Sequence, residues 1–228
     1  MKRVWMILVL LTSILTLSAC KGEEEIVEID DFTYFVDAID AYNIDGINGV
    51  NLHTKQRLDG EVIHQEDMEL LIDRSGPLKA MTYYYEKALS MFSEEGLYEI
   101  SESTSYFSAG ESLIEDLEDY QRIETTESEY LSGASLLLKG LSKDNFVDYE
   151  ITSLDNFYIL EGELKIGSVR SIFNTDISMV LDNQIRIVID QENNRFIEFE
   201  FTYQAENTEV WIEFKPVYEV VSVVLPNE

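Results

Sequence analysis

Reactive side chains with a distinctive setting are few in this chain of 228 residues, and the clearest is Cys20, its sole thiol. Cys20 ends a stretch that begins with Lys2 and Arg3, runs uncharged from Val4 to Leu17 and closes on the small residues Ser18 and Ala19. A positive start, an apolar run and small residues are the parts of a cleaved secretory signal. As a helix the run would reach about 21 Å, short of the roughly 30 Å hydrocarbon core of a bilayer, so it does not read as a permanent span. With no second cysteine in the chain, no internal disulfide is open to Cys20. Its chemistry is with something outside the chain.

The stretch Leu17-Ser18-Ala19-Cys20 resembles the lipobox of bacterial lipoproteins. That resemblance implies cleavage just before Cys20 and a diacylglyceryl group on its thiol, with the membrane as partner and the extracytoplasmic face of the cell membrane as location. Two acyl chains hold a protein on a bilayer stably, where one does so only marginally. On this reading residues 1–19 are a signal peptide, 20–29 a lipidated tether and 30–228 the envelope domain. Lys21 through Glu28, with Glu23, Glu24 and Glu25 in a row, reads as a solvated run of like charge.

The other residue types capable of chemistry form no recognisable catalytic set. His53 and His64 flank Asp59-Gly60, a strong two-residue hairpin signal. A simple ladder from that turn sets His53 opposite Glu66 and His64 opposite Lys55, so the two imidazoles read as separate strand residues and no metal site is expected. Signature motifs of zinc proteases, serine hydrolases and nucleotide-binding loops are missing from the sequence. Among 45 acidic residues, close carboxylate pairs are unavoidable and identify no hydrolase. The reading is a protein that is not an enzyme and has no cofactor. A net charge of −29, more negative still once Lys2 and Arg3 are removed, repels phosphate backbones and excludes nucleic acid as a partner. Asn43-Ile44-Asp45-Gly46 looks like the middle of a calcium loop, but that alignment puts Ala41 and Leu52 at the end ligand positions, so it reads as a turn. Asp190 to Asn194 reads as a hairpin turn.

The elements that position these residues follow from periodicity. Phe32, Phe35, Val36, Ile39 and Tyr42 recur at helical spacing after Asp30 and Asp31, which suit an N-cap. From Val50 the period is two, through Leu58, Met68 to Ile72, Met81 to Tyr85 and Leu97 to Ser101: an antiparallel meander. Leu113, Leu117 and Tyr120, then Leu131 to Leu141, predict two helices joined by a polar link from Glu124 to Glu129. Strands are predicted again at Tyr158 to Lys165, Ile177 to Leu181, Ile185 to Asp190, Phe196 to Tyr203, Glu209 to Phe214 and Val220 to Leu225. Alternation places Leu70 and Ile72, Met81, Tyr83 and Tyr85, and Ile197, Phe199 and Phe201 as candidates for one continuous apolar face. Leu70, Ile72, Met81, Tyr83, Tyr85, Phe199 and Phe201 are the candidate lining of an apolar cavity.

This order of elements, with a lipobox, an amphipathic helix, a meander, central helices and closing strands ending in Val223-Val224-Leu225-Pro226, resembles the LolA-like and LppX-like envelope lipoproteins. The resemblance implies an α+β fold: a single, strongly curved antiparallel sheet, an unclosed barrel, with helices on its concave side around an apolar cavity. It implies a non-catalytic binder or carrier of lipid or other apolar molecules. The alternative is a structural or interaction lipoprotein with a filled core and no small-molecule ligand, its partner another envelope protein. Whether the helices fill the concave face separates the two.

Overall fold

The computed structural model describes residues 27–28, 32–90, 97–116, 119–134, 138, 140–173, 180 and 182–226. Cys20 and the proposed cap residues Asp30 and Asp31 lie outside them, as do most of the residues expected as a strand at Ile177 to Leu181. Among the described residues the strands are β1 (Val27–Glu28), β2 (Gly49–Leu58), β3 (Glu61–Asp73), β4 (Lys79–Leu89), β5 (Tyr98–Ser108), β6 (Glu111–Asp116), β7 (Asp119–Glu124), β8 (Phe146–Leu154), β9 (Phe157–Leu164), β10 (Asp182–Asp190), β11 (Arg195–Ala205) and β12 (Thr208–Val217). They form one antiparallel sheet in the order β1-β8-β9-β10-β11-β12-β2-β3-β4-β5-β6-β7. Pairing of β12 with β2 joins the late hairpins to the early ones, and β1 and β7 are left as edges, so the sheet is open. Three α-helices accompany it: α1 (Thr33–Ala41), α2 (Glu127–Tyr130) and α3 (Ile166–Phe173). The protein is mostly β, with less helix than an α+β reading expects.

The largest departure from the periodicity lies after Ser108, where a helix was expected and β6 and β7 stand instead. Ala109 and Gly110 both take positive φ, 54° and 83°, the backbone of a two-residue hairpin turn that sends β6 back along β5. Asp59 and Gly60 do the same between β2 and β3, at 51° and 86°. Val220 to Leu225, expected as a strand, pairs with none. The second predicted helix is described as α2 followed by a 3-10 turn over Leu131–Ala134. Thr126 and Glu129 cap α2 reciprocally, each accepting from the other's backbone N–H.

Burial of one face, with no side-chain cap at its start, keeps α1 in place. Phe32, Phe35, Ala38, Ile39 and Tyr42 are all buried. Phe32 meets Phe146 and Tyr149 of β8 at ring-centroid distances of 5.5 and 5.3 Å. Ten residues on, Tyr42 meets Phe196 and Phe214 of β11 and β12 edge-on at 5.9 and 6.0 Å. The helix therefore crosses these strands. Leu131, Leu138, Leu141, Val169 and Ile172 join the same cluster, with Tyr130 of α2 packed against it, so these residues and α3 cover that same inner face. At the rim of this core Asn183, 3% exposed, extends the β9 to β10 ladder with its side chain, its amide donating to Leu164 O and its oxygen accepting from Leu164 N, both at 2.9 Å.

A C-terminal strap completes the cover. The Tyr218 hydroxyl donates to Phe196 O at 2.6 Å, and Asn48 donates to Tyr218 O at 2.9 Å. Farther along, Val223 N donates to the Asp73 carboxylate at 3.2 Å, and Leu225 and Pro226 line a cleft together with Ser108 and Leu113 of β5 and β6. Asp73 also accepts from the hydroxyl and backbone N–H of Ser75, at 2.6 and 2.9 Å. These bonds, the Ser75 hydroxyl foremost, hold its carboxyl below the usual aspartate range. A carboxyl depressed by folding stabilises the fold at neutral pH, and that contribution is lost as the pH falls through its lowered folded value. Asp73→Ala should therefore be less stable than the native chain at neutral pH, and the deficit should shrink below about pH 4, read by urea unfolding across a pH series. A deficit independent of pH would show that the charge plays no part.

Candidate functional site

Cross-strand register decides which residues share a face, because side chains alternate sides and directly opposed residues point the same way. Between β2 and β3 the pairing runs Leu58 to Glu61 and Arg57 to Val62, then shifts at a bulge to pair Gln56 with His64, Leu52 with Met68 and Val50 with Leu70. His53 thus faces Asp67 and His64 faces Gln56, each one residue away from the simple ladder. Leu70 in turn faces Thr82 of β4, and Ile72 faces Ala80. Met81, Tyr83 and Tyr85 pair with Leu71, Glu69 and Asp67 on the opposite side of the sheet. The seven candidate cavity residues are therefore split. Leu70, Ile72, Phe199 and Phe201 lie on the inner face, while Met81, Tyr83 and Tyr85 lie on the outer one. A second bulge, at Val188 and Ile189 against β11, leaves Ile197 unpaired and seats Phe196 beside Ile189 in the core.

The inner-face members are packed solid. Leu70, Ile72, Phe199 and Phe201 are between 0 and 2% exposed and belong to one cluster with α1. Phe199 stacks on Phe214 at 5.8 Å. On the outer face Tyr83 lies between Glu69 and Thr104, half-buried. Burial first, then the Glu102, Tyr85 and Asp67 neighbours, push its phenol up. Among the clefts lined by described residues are small and polar ones. One of about 200 Å³ sits beside Tyr42 and Tyr218, and a wider one of about 530 Å³ is rimmed by Glu111, Glu124 and Glu129.

Past the reach of this cover, the ends of β2 to β5 nearer the Asp59-Gly60 turn carry polar groups on the inner face. Glu66 and Glu86 oppose each other directly. His64 Nε2 lies 3.0 Å from Glu86 Oε1 and 3.7 Å from Glu66 Oε1. Tyr84 donates its hydroxyl to Glu66 Oε1 at 3.0 Å; burial and this bond push the phenol up to about 12. The outer face carries a second carboxylate group, Glu198, Glu200 and Glu213. There Lys215 bonds Glu213 and lies 3.5 Å from Glu198, and Arg186 bonds Glu198 at 3.2 Å. Burial and the charge of Glu198 raise the Glu200 carboxyl. His53 bonds Asp67 at 2.8 Å on that outer face. Sequence reasoning missed both groups, which form where neighbouring strands set glutamate opposite glutamate, Glu66 with Glu86 across β3 and β4 and Glu200 with Glu213 across β11 and β12.

Truncation should distinguish the two faces. Phe199→Ala removes a ring from a closed core and should cost about 3 to 5 kcal/mol, whereas Tyr83→Ala, on the half-covered outer face, should cost clearly less. Chemical denaturation of both variants checks this, and equal losses would mean that the outer face is packed as tightly as the inner.

No protein-family model and no curated protein matches the chain. Among solved structures it is similar to LprF from Mycobacterium bovis, at 12% identity over 86% of this chain and 95% of that one, with a TM-score of 0.43. It is also similar to a LolA superfamily protein from Nitrosomonas europaea, at 12% identity over 83% of this chain and 94% of that one, with a TM-score of 0.26. Both overlaps are loose, and function has to be argued from this chain's own residues. No helix among the described residues is long and apolar enough to cross a membrane.

Proposed function

We propose that this chain is a non-catalytic lipoprotein held on the extracytoplasmic face of the cell membrane by lipid on Cys20. Residues 1–19 are its signal peptide, residues 20–29 its tether and residues 30–228 its working domain. It acts by presenting the acidic surface of its sheet to another envelope protein or to cations, and it carries no lipid in its interior. The observation that supports this is the filled inner face: Leu70, Ile72, Phe199 and Phe201 are at most 2% exposed. An acyl chain entering there would displace side chains already in contact, which a close-packed interior resists.

The carrier reading rests on a different observation. The sheet extends past its cover, and on its inner face Leu52, Met68 and Tyr84 are only half-buried. An apolar molecule laid along these strands would meet them from the open side.

Native mass spectrometry of the protein purified from its own membrane separates the two. The expected result is the mass of the acylated chain with no further apolar molecule, while a lipid retained in stoichiometric amount would establish the carrier. For the anchor, Cys20→Ala should abolish incorporation of labelled fatty acid and release the protein or leave it uncleaved. Normal labelling of that variant would sink the lipoprotein reading.

A further inference from the structure

Direct opposition of Glu66 and Glu86 on neighbouring strands is an arrangement that sheets avoid, because like charges across a ladder repel. In the outer-face group the same repulsion is offset by Lys215 and Arg186. Nothing comparable exists here. Cross-strand register gives the inner face of β2 to β5 the residues Val50, Leu52, Thr54 and Gln56, then His64, Glu66, Met68, Leu70 and Ile72, then Ala80, Thr82, Tyr84, Glu86 and Ala88, then Glu99, Ser101, Ser103, Ser105 and Phe107. Lysine and arginine are missing from that set. Two carboxylates thus face one another, half-buried, and among the described residues of that face of β2 to β5 only His64 is able to bear a positive charge.

We propose that His64, Glu66 and Glu86 bind a divalent cation of the Zn²⁺ type. Their nearest nitrogen and oxygen atoms all lie within 4.8 Å of one another. Zinc bonds of about 2.0 to 2.2 Å set tetrahedral ligand atoms about 3.4 Å apart, and the two histidine to glutamate distances of 3.0 and 3.7 Å bracket that spacing. One imidazole nitrogen with two carboxylates suits zinc over magnesium or calcium, which take oxygen alone. Nε2 is the edge of the His64 ring that meets the two carboxylates. Tyr84 donates to Glu66 Oε1 and so restrains that carboxylate, a task that outer-shell partners perform. Side-chain exposures of 22, 40 and 37% for His64, Glu66 and Glu86 leave room for water to complete the coordination. The strongly negative chain raises the local concentration of cations around the site.

The full-length protein in detergent, stripped of metal by chelation, can be titrated calorimetrically with Zn²⁺ in the presence of millimolar Mg²⁺ to occupy the general acidic surface. One saturable site is expected, and Co²⁺ in its place should give visible absorption from mixed nitrogen and oxygen ligation. His64→Gln, and separately the pair Glu66→Gln with Glu86→Gln, should weaken that binding at least about tenfold while circular dichroism stays native. His53→Gln, on the other face of the sheet, should bind as the native chain does. No saturable binding, unchanged binding in the His64 and glutamate variants, or an equal loss in His53→Gln would each overturn the proposal.

Discussion

One residue of phase in the β2 to β3 ladder determines which side of the sheet is apolar. Had the pairing continued unshifted from Leu58 and Glu61, Val50 would face Glu69 and Leu52 would face Asp67. The bulge after Arg57 moves them opposite Leu70 and Met68 instead. Because side chains alternate strictly, this offset propagates through β4 and β5 on one side and through β12 and β11 on the other. Bulges also bend the strand that carries them and sharpen its twist. A second one between β10 and β11 and a third in β8 give a wide sheet the freedom to wrap around α1.

Covered and uncovered parts of the sheet are held by different forces. Over β8 to β12 the inner face is an aromatic and aliphatic core whose stability comes from area removed from water. Toward the free ends of β2 to β5 both faces are half-open, and cross-strand pairs take over. Lys87 lies 4.2 Å above the Tyr98 ring, Tyr98 donates to Val62 O at 2.7 Å, and Lys55 lies 5.1 Å from the Trp211 ring. Contacts of this kind contribute some tenths of a kcal/mol to about 1 kcal/mol each. The region is therefore shaped more by specific side chains than by burial, and there the polar groups of the inner face gather.

Much of this was legible in the sequence wherever local chemistry and tertiary need agree. Asp59-Gly60 announces its hairpin, Asp190 to Asn194 its turn, and the spacing from Phe32 to Tyr42 its helix. Legibility failed where a residue does something its type does not advertise. Alanine carries no signal for positive φ, so the turn at Ala109 was invisible, and β6 and β7, short and charged, read as helix. Bulges leave no local mark either, since the extra residue is selected by the apolar match several residues away. The β3 to β4 register is equally silent: the connection that pairs Asp73 with Lys79 sets Leu70 opposite Thr82, so Tyr83 and Leu70, both at strand period, stand on two faces. Nor does the strap from Tyr218 onward differ in composition from a strand; its partner is a side chain, Asp73, where a ladder would supply backbone.

The narrow first strand has a mechanical meaning. Among the described residues two pairs, Val27 with Ser153 and Glu28 with Thr152, join β1 to β8. A pull along the chain from ahead of Val27 loads those pairs before it reaches α1 and its aromatic seat. An edge pairing opens at less cost than the core, in the manner of local unfolding. A tug from that side therefore meets the edge of the sheet ahead of the aromatic seat of α1.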